Sequence, residues 1–292
     1  MCALKWSDWK PLSLKLTPDI LQELLDGGQS FRWNRVGNDS EWIGIWGNCV
    51  AKLSQADNGA IRWSAPAQIA DRVGSELGIY LGPNAGFAPQ VDALPWRSDA
   101  HLAKCLEVFP GLRILRQPFG ETLLCFLCSA TKQIVQIKQM VALLATRHGR
   151  EIIPGFNRLP TWAELADTSE LALRSCLLGF RARYIYETAT FLAENPNWLT
   201  TTEAAPYSEA KELLCLLPGV GEKVADCVLL FGAGRLEAFP VDVWILKTME
   251  RRYGLVGWKP AQVVQFGRAH FGPLAGLAQQ YLFAYERREA RR

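Results

Sequence analysis

Between two apolar helical runs the chain carries Leu217-Pro218-Gly219-Val220-Gly221, and this segment leaves the backbone few choices. Leu213, Leu214, Leu216 and Leu217 make the first run apolar, and Pro218 with the two glycines turns the chain. Gly219 and Gly221 permit positive φ and let the main chain approach a ligand closely. A second helix is expected over Glu222 to Phe231, so about residues 208–231 read as helix, tight turn, helix. The unpaired N–H groups that open the second helix suit an anion such as a phosphate. Carbonyls in the turn suit a monovalent cation bridging to the same phosphate. Taken alone, such a segment is equally a plain packing hairpin.

Lys223 stands just inside the second helix and shares one face with Cys227, four residues on. A charge at the positive end of a helix dipole is disfavoured, which favours the neutral amine that a nucleophile needs. Val224, Ala225, Cys227 and Val228 surround it with small or apolar groups, unlike an ordinary solvated lysine. Nineteen residues later Phe239-Pro240-Val241-Asp242 leads into Val243-Trp244-Ile245-Leu246, a helical run closed by Gly254. Asp242 is a good N-cap, and the dipole is expected to keep its carboxylate ionised. The helix climbs about 12 Å from Lys223 to Phe231. The ten residues to Val241 return that distance easily. Amine and carboxylate are therefore expected side by side, next to a turn that grips phosphate.

The chain has 292 residues, 49% hydrophobic and 21% charged, which is ample for a core and excludes a disordered chain. Charge is uneven. Residues 1–110 hold 10 Lys+Arg against 12 Asp+Glu, whereas residues 111–292 hold 22 against 17, so a polyanion would meet the second part. No stretch approaches the about 18 apolar residues that span a membrane. The start of the chain lacks the layout of a signal peptide. The eight cysteines are scattered through apolar runs, which fits free thiols in a reducing compartment. Cys125 and Cys128 form a C-x-x-C inside an apolar helical run and read as packing rather than as a metal or redox pair.

The first 110 residues read as β-rich, with seven of the eleven Trp. Ser30–Trp33, Glu41–Trp46 and Ala60–Trp63 are short aromatic strands, separated by turns at Gly37-Asn38-Asp39 and Asp57-Asn58-Gly59. An early helix over Pro18–Asp26 is capped by Thr17. From residue 111 onward the pattern is helical, with runs at 121–129, 134–148, 161–166, 169–178, 182–194, 208–217, 222–231, 243–253 and 273–287. The expected fold is α+β: an N-terminal antiparallel β-sheet domain (1–110) packed on a mainly α-helical domain (111–292) that holds the hairpin.

Leu217 to Cys227 together with Pro240-Val241-Asp242 resemble the helix-hairpin-helix, Gly-Pro-Asp superfamily of DNA glycosylases, and most closely its 8-oxoguanine DNA glycosylase branch. Gly28-Gln29-Ser30-Phe31-Arg32-Trp33, Leu178-Gly179-Phe180-Arg181-Ala182-Arg183-Tyr184 and Gly272 to Phe283 resemble further motifs of that branch, in the same order. The resemblance implies that Lys223 attacks C1′ of a flipped-out nucleotide, expels the base, and leads through a Schiff base to β-elimination. It gives Asp242 the stabilisation of charge on the sugar, and Gly28 a carbonyl that accepts N7–H of 8-oxoguanine. It gives Gln279 the Watson–Crick edge, and Cys227 with Phe283 the two faces of the base.

The same resemblance places Gly219, Val220, Gly221, Trp244, Thr131, Gln136, Phe180 and Arg181 against DNA. Departures fall among these last residues. Thr131 takes the place of an Asn that fills the gap left by the base. Gln136 stands where an Arg would read the orphaned cytosine, Phe180 stands for a Tyr wedge, Trp244 for a phosphate-contacting His, and Arg181 is retained. A weaker preference for the opposite cytosine is implied. No required cofactor is implied beyond the turn cation, and no iron–sulfur cluster, because the last cysteine is Cys227. The implied partner is double-stranded DNA with oxidised guanine, bound by a monomer away from membranes, in a prokaryotic cytoplasm or a nucleus. Two other readings stay open at this point: a glycosylase for another damaged base, and a non-enzymatic DNA-binding protein.

Overall fold

The computed structural model describes residues 4–37, 41–56, 58–82 and 87–290. The turn residues Asn38, Asp39 and Asp57, together with Cys2 and the terminal arginines 291–292, lie outside the described residues. Five strands, β1 (Lys10–Lys15), β2 (Trp33–Val36), β3 (Glu41–Trp46), β4 (Cys49–Gln55) and β5 (Ala60–Ser64), form an antiparallel sheet in the order β1-β5-β4-β3-β2. Helix α1 (Pro18–Asp26) joins β1 to β2, and the Thr17 hydroxyl accepts from Ile20 N at its start. Alternate residues of β3 are buried, as a sheet with one covered face requires.

Three helices follow within the region that reads as β-rich: α2 (Ala70–Tyr80), α3 (Phe87–Ala93) and α4 (Ala100–Val108). Next come α5 (Phe119–Leu127), α6 (Ile134–His148), a small hairpin of β6 (Glu151–Ile153) and β7 (Phe156–Asn157), α7 (Trp162–Ala166) and α8 (Glu170–Leu173). The chain continues as α9 (Arg181–Glu194), α10 (Trp198–Ala204), α11 (Tyr207–Cys215), α12 (Glu222–Phe231), α13 (Val243–Tyr253), α14 (Pro260–Phe271) and α15 (Ala275–Glu289). Between α8 and α9 the segment Arg174–Leu178 winds as a π-turn.

Two apolar clusters hold the molecule together. One joins the sheet, α1, α2 and α4 to α13, α14 and α15. The other is built from α5 to α12. The last three helices thus return to the sheet rather than staying with the helices that precede them. That return carries residues from both ends of the chain to one side of α12.

The sheet is ordered by its tryptophans. Trp33 stacks on Trp46 at 5.9 Å, and Trp46 packs on Tyr80 at 4.6 Å. The Trp33 indole donates to the Tyr80 hydroxyl, and that hydroxyl donates to Ser30 Oγ, next to the Gly28-Gln29 corner. Gly44 pairs with Trp33 across the ladder, and a Cβ there would lie 2.2 Å from the indole. Gly44→Ala should therefore displace Trp33 and cost about 2 kcal/mol, in the range of overpacked cores. Urea denaturation of the variant measures this, with a lower midpoint at unchanged slope as the expected result.

Candidate active site and DNA cleft

The hairpin forms where the sequence places it. Gly219 adopts φ +77°, and a Cβ there would meet the Tyr184 ring at 2.4 Å, so turn and packing both demand glycine. Gly221 is extended, with φ −95° and ψ 177°, so only the first glycine uses the left-handed region. Val220 is buried under the turn. No side chain caps α12, so the positive end of its dipole is left facing outward.

Lys223 is half-buried, with its amine 5.2 Å from the centre of the Phe126 ring. Phe126 is held in turn by Phe231, stacked at 5.6 Å, and by Phe31, edge-on at 5.4 Å. The amine donates to the Cys227 sulfur one turn along the helix. Burial pushes the Cys227 thiol up to about 11, which keeps it neutral and apolar. Asp242 caps α13, accepting from Ile245 N at 2.9 Å, and its charge interacts with Lys223. Burial raises its carboxyl above the ordinary aspartate range, against the lowering pull of the Ile245 and Trp244 N–H groups and of Lys223. Desolvation here opposes the helix start, whose N–H groups pull the carboxyl the other way, as the sequence leads one to expect of a cap.

Lys223, Asp242, Gly28, Cys227, Gln279 and Phe283 share the walls of one recess of about 50 Å³, with Phe126, Phe231, Pro240 and Gln280 completing it. Gly28 sits at φ +107°, a conformation that favours glycine. Its position is set by Gln29, a buried amide that donates to the Arg113 carbonyl and accepts from Leu115 N, both at 2.9 Å. Gln279 is 3% exposed and donates to the Pro240 carbonyl at 3.0 Å. Arg287 of the same helix lies 5.2 Å from the Phe283 ring and binds the Glu23 carboxylate and the Gly27 carbonyl. The recess opens beside a cleft of about 850 Å³ that Lys223, Asp242, Gly28 and Phe283 also line, with Trp244, Ser129, Lys132, Gln133 and Lys138 on its rim.

The residues read as DNA contacts divide. Trp244 stands exposed on the cleft. Phe180 is 51% exposed at the head of α9 and leans edge-on against Tyr184. Thr131 is exposed with φ +55°. Gln136 is turned back on its own helix, where its side-chain oxygen accepts from Gln133 N and caps α6. Arg181 is only 2% exposed; its guanidinium donates to the carbonyls of Ala130 and Leu178 and to Thr131 Oγ1. In this conformation it fastens the turn at 130–131 to the turn at 178 rather than offering its charge to solvent.

Comparison with known proteins agrees with this geometry. Residues 13–123 match the family described as 8-oxoguanine DNA glycosylase, N-terminal domain. A probable N-glycosylase/DNA lyase of Methanothermobacter thermautotrophicus is 44% identical over 123 residues, which are 42% of this chain and 39% of that protein. The N-glycosylase/DNA lyase of Arabidopsis thaliana is 30% identical over 296 residues, covering 95% of this chain and 80% of that one. The chain belongs to the 8-oxoguanine DNA glycosylase/lyase family. The crystal structure of the Clostridium acetobutylicum 8-oxoguanine glycosylase/lyase bound to double-stranded DNA with cytosine opposite 8-oxoguanine superposes with a TM-score of 0.86 at 27% identity. It covers 98% of this chain and 99% of that one. Family membership makes this chain an enzyme of base-excision repair, a DNA glycosylase with lyase activity. No helix of the described residues is long and apolar enough to cross a membrane, and no group of three or more His, Cys, Asp and Glu among them could hold a metal ion.

Seen as a glycosylase/lyase, the site contains residues that sequence reasoning did not single out. Phe126 forms the bed of the lysine, yet it lies in an apolar run that reads only as core. Arg287, in a basic helix end, gives no sign that it is inserted between two helices. Leu177 is 61% exposed at φ +63°, a backbone conformation that disfavours leucine, and only the neighbouring Gly179-Phe180 hints at a turn there.

Asp242→Asn keeps the cap of α13 and removes its ionisable group. Asparagine caps as well as aspartate, and it avoids ionising a buried carboxyl. Because the folded carboxyl binds its proton more tightly than the unfolded one, wild-type stability falls as pH rises through the ordinary aspartate range and on to the raised value. The variant should therefore be at least as stable as wild type at neutral pH. The difference should shrink on acidification below about 4, where both states are protonated. Thermal denaturation of both proteins across that range measures it.

Proposed function

We propose that this chain removes 8-oxoguanine from duplex DNA by attack of the Lys223 amine on C1′ of a nucleotide flipped out of the stack. The observation that carries the reading is the placing of Lys223 and Asp242 on one wall of a recess whose other walls are Gly28, Cys227, Gln279 and Phe283. The new N–C1′ bond forms as the glycosidic bond breaks, and the pair of electrons leaves with the base, which takes up a proton. Loss of the amine proton and opening of the sugar ring give a Schiff base, and abstraction of a C2′ proton eliminates the 3′ phosphate. Asp242 faces the carbon where positive charge develops, in a site dry enough for that charge to be felt. The Gly28 carbonyl accepts N7–H, which guanine lacks, and the Gln279 amide reads the Watson–Crick edge.

The recess is little larger than one water's share of liquid, about 30 Å³. A purine therefore reaches it from the adjoining cleft, which Gly28, Lys223, Asp242 and Phe283 also line, and lies between Cys227 and Phe283. The open start of α12 and the Gly219-Val220-Gly221 turn take a DNA phosphate, with a monovalent cation on the turn carbonyls. Trp244 meets the backbone across the cleft. Phe180 and Leu177, both apolar and exposed on one turn, enter the duplex opposite the lesion. Gln136 is occupied as a cap and Arg181 as a clasp, so neither presents a free charge to the orphaned cytosine. Preference for that cytosine is weak, and the chain works as a monomer.

Borohydride trapping on duplexes with 8-oxoguanine, uracil or thymine glycol tests the reading. A covalent adduct is expected on 8-oxoguanine alone, and Lys223→Gln should lose it and lower excision by at least about a thousandfold. An adduct confined to another lesion would select a different glycosylase activity. Binding without base release would leave only a DNA-binding protein. With each of the four bases opposite the lesion, rates should stay within about a hundredfold, roughly the effect of one or two charge-assisted contacts.

A further inference from the structure

We propose that Gln280 is a specificity-determining residue of the base recess. By donating to the Gln279 side-chain oxygen, it fixes which end of that amide accepts and which donates. The recess then admits the lactam edge of 8-oxoguanine and refuses the amidine edge of 8-oxoadenine. The inference rests on Gln279 as the reader of the Watson–Crick edge.

Gln280 lines the recess, is 7% exposed, and places its Nε2 at 2.6 Å from Gln279 Oε1. On the other side, Gln279 Nε2 donates to the Pro240 carbonyl at 3.0 Å. The Pro240 carbonyl can only accept, and the NH2 end of Gln280 can only donate. These two neighbours impose one orientation on an amide whose ends are otherwise nearly alike in shape. Turning it over while Gln280 stays as it is would set oxygen against oxygen at Pro240 and N–H against N–H at Gln280 in a buried site, with both hydrogen bonds lost. Held as it is, Gln279 keeps one lone pair and one N–H for a ligand.

That residual pair is what separates the two oxidised purines. 8-Oxoguanine offers a donor at N1 and an acceptor at O6. 8-Oxoadenine offers an acceptor at N1 and a donor at N6. Both carry N7–H and O8, so the Gly28 carbonyl and the stacking residues treat them alike. Apart from the 2-amino group that 8-oxoguanine alone carries, the order of donor and acceptor on Gln279 tells them apart, and a freely turning amide would serve either. Pro240 alone holds one end of that order, and Gln280 holds the other.

The experiment compares kcat/KM on duplexes carrying 8-oxoguanine and 8-oxoadenine for wild type, Gln280→Ala, Gln280→Met and Gln279→Ala. Gln280→Met keeps the length of the side chain without its donor, which covers the case that the alanine variant folds poorly. Both Gln280 variants should lower the preference for 8-oxoguanine by at least about tenfold, the size of effect that one buried hydrogen bond commands, mainly through faster excision of 8-oxoadenine. An equal fall on both lesions would make Gln280 a mere packing residue and overturn the proposal. So would a preference unchanged within about threefold, less than half the free energy of a tenfold step. If Gln279→Ala leaves the preference untouched, the reading of Gln279 itself fails. If Gln279→Ala abolishes it while both Gln280 variants keep it, only the role of Gln280 fails.

Discussion

The Arg287 guanidinium joins the two ends of the chain, and the site exists because it does. It reaches from α15 to the Glu23 carboxylate at 2.9 Å and to the Gly27 carbonyl at the end of α1. Its charge also acts on Asp242, and its plane lies near Phe283. A buried arginine that lost these partners would be strongly unfavourable, so the pairing is a constraint more than a source of stability. It holds Gly28 on one side of the recess and Gln279 and Phe283 on the other. Lys223, from a separate apolar cluster, is presented to the gap between them.

Around that clasp the polar groups are arranged as acceptors and donors with few spare valences. Gln29 fixes the Gly28 corner through the backbone of 113–115, and Pro240 with Gln280 fixes Gln279. Asp242 is bonded to the backbone N–H groups at the start of α13 and is otherwise buried. A carboxylate buried in this way is poorly placed for stability, and in the proposed reaction it meets a cationic sugar. The face proposed to meet the duplex is built on different terms. Thr131 and Leu177, the two non-glycine residues with positive φ among those described, flank the Arg181 clasp, and strain of this kind collects where a surface must present side chains to a partner.

How much of this was readable beforehand follows from how local each signal is. Helices α6, α12 and α13 begin and end as expected, because Gly149, Gly221, Asp242 and Gly254 mark their ends within the chain itself. The pairing of Lys223 with Asp242 followed from spacing, the addition of Gly28, Cys227, Gln279 and Phe283 rested on motif resemblance, and the fold brings all six to one recess. Helices α2 to α4 follow the tryptophan-rich strands, and the β-rich reading of those strands was carried over them to residue 110, while α14 lacked an obvious periodic face. The burial of Asp242 and the turning inward of Arg181 were beyond the sequence, because they depend on packing and on partners such as Ala130 and Thr131, 51 and 50 residues away, whereas the cap that Gln136 makes on Gln133 is a local pairing three residues apart.

The central claim is that one amine of the cleft does the chemistry. Lys132, Lys138 and Lys223 all line it. Lys138 is engaged by the Asp26 carboxylate at 2.6 Å and the Trp33 carbonyl at 2.7 Å, whereas Lys223 rests on an aromatic ring beside Asp242. Mass-spectrometric mapping of the borohydride-reduced protein–DNA adduct decides among them. The account requires the deoxyribose remnant on the peptide containing Lys223; a remnant on Lys132 or Lys138 would contradict it.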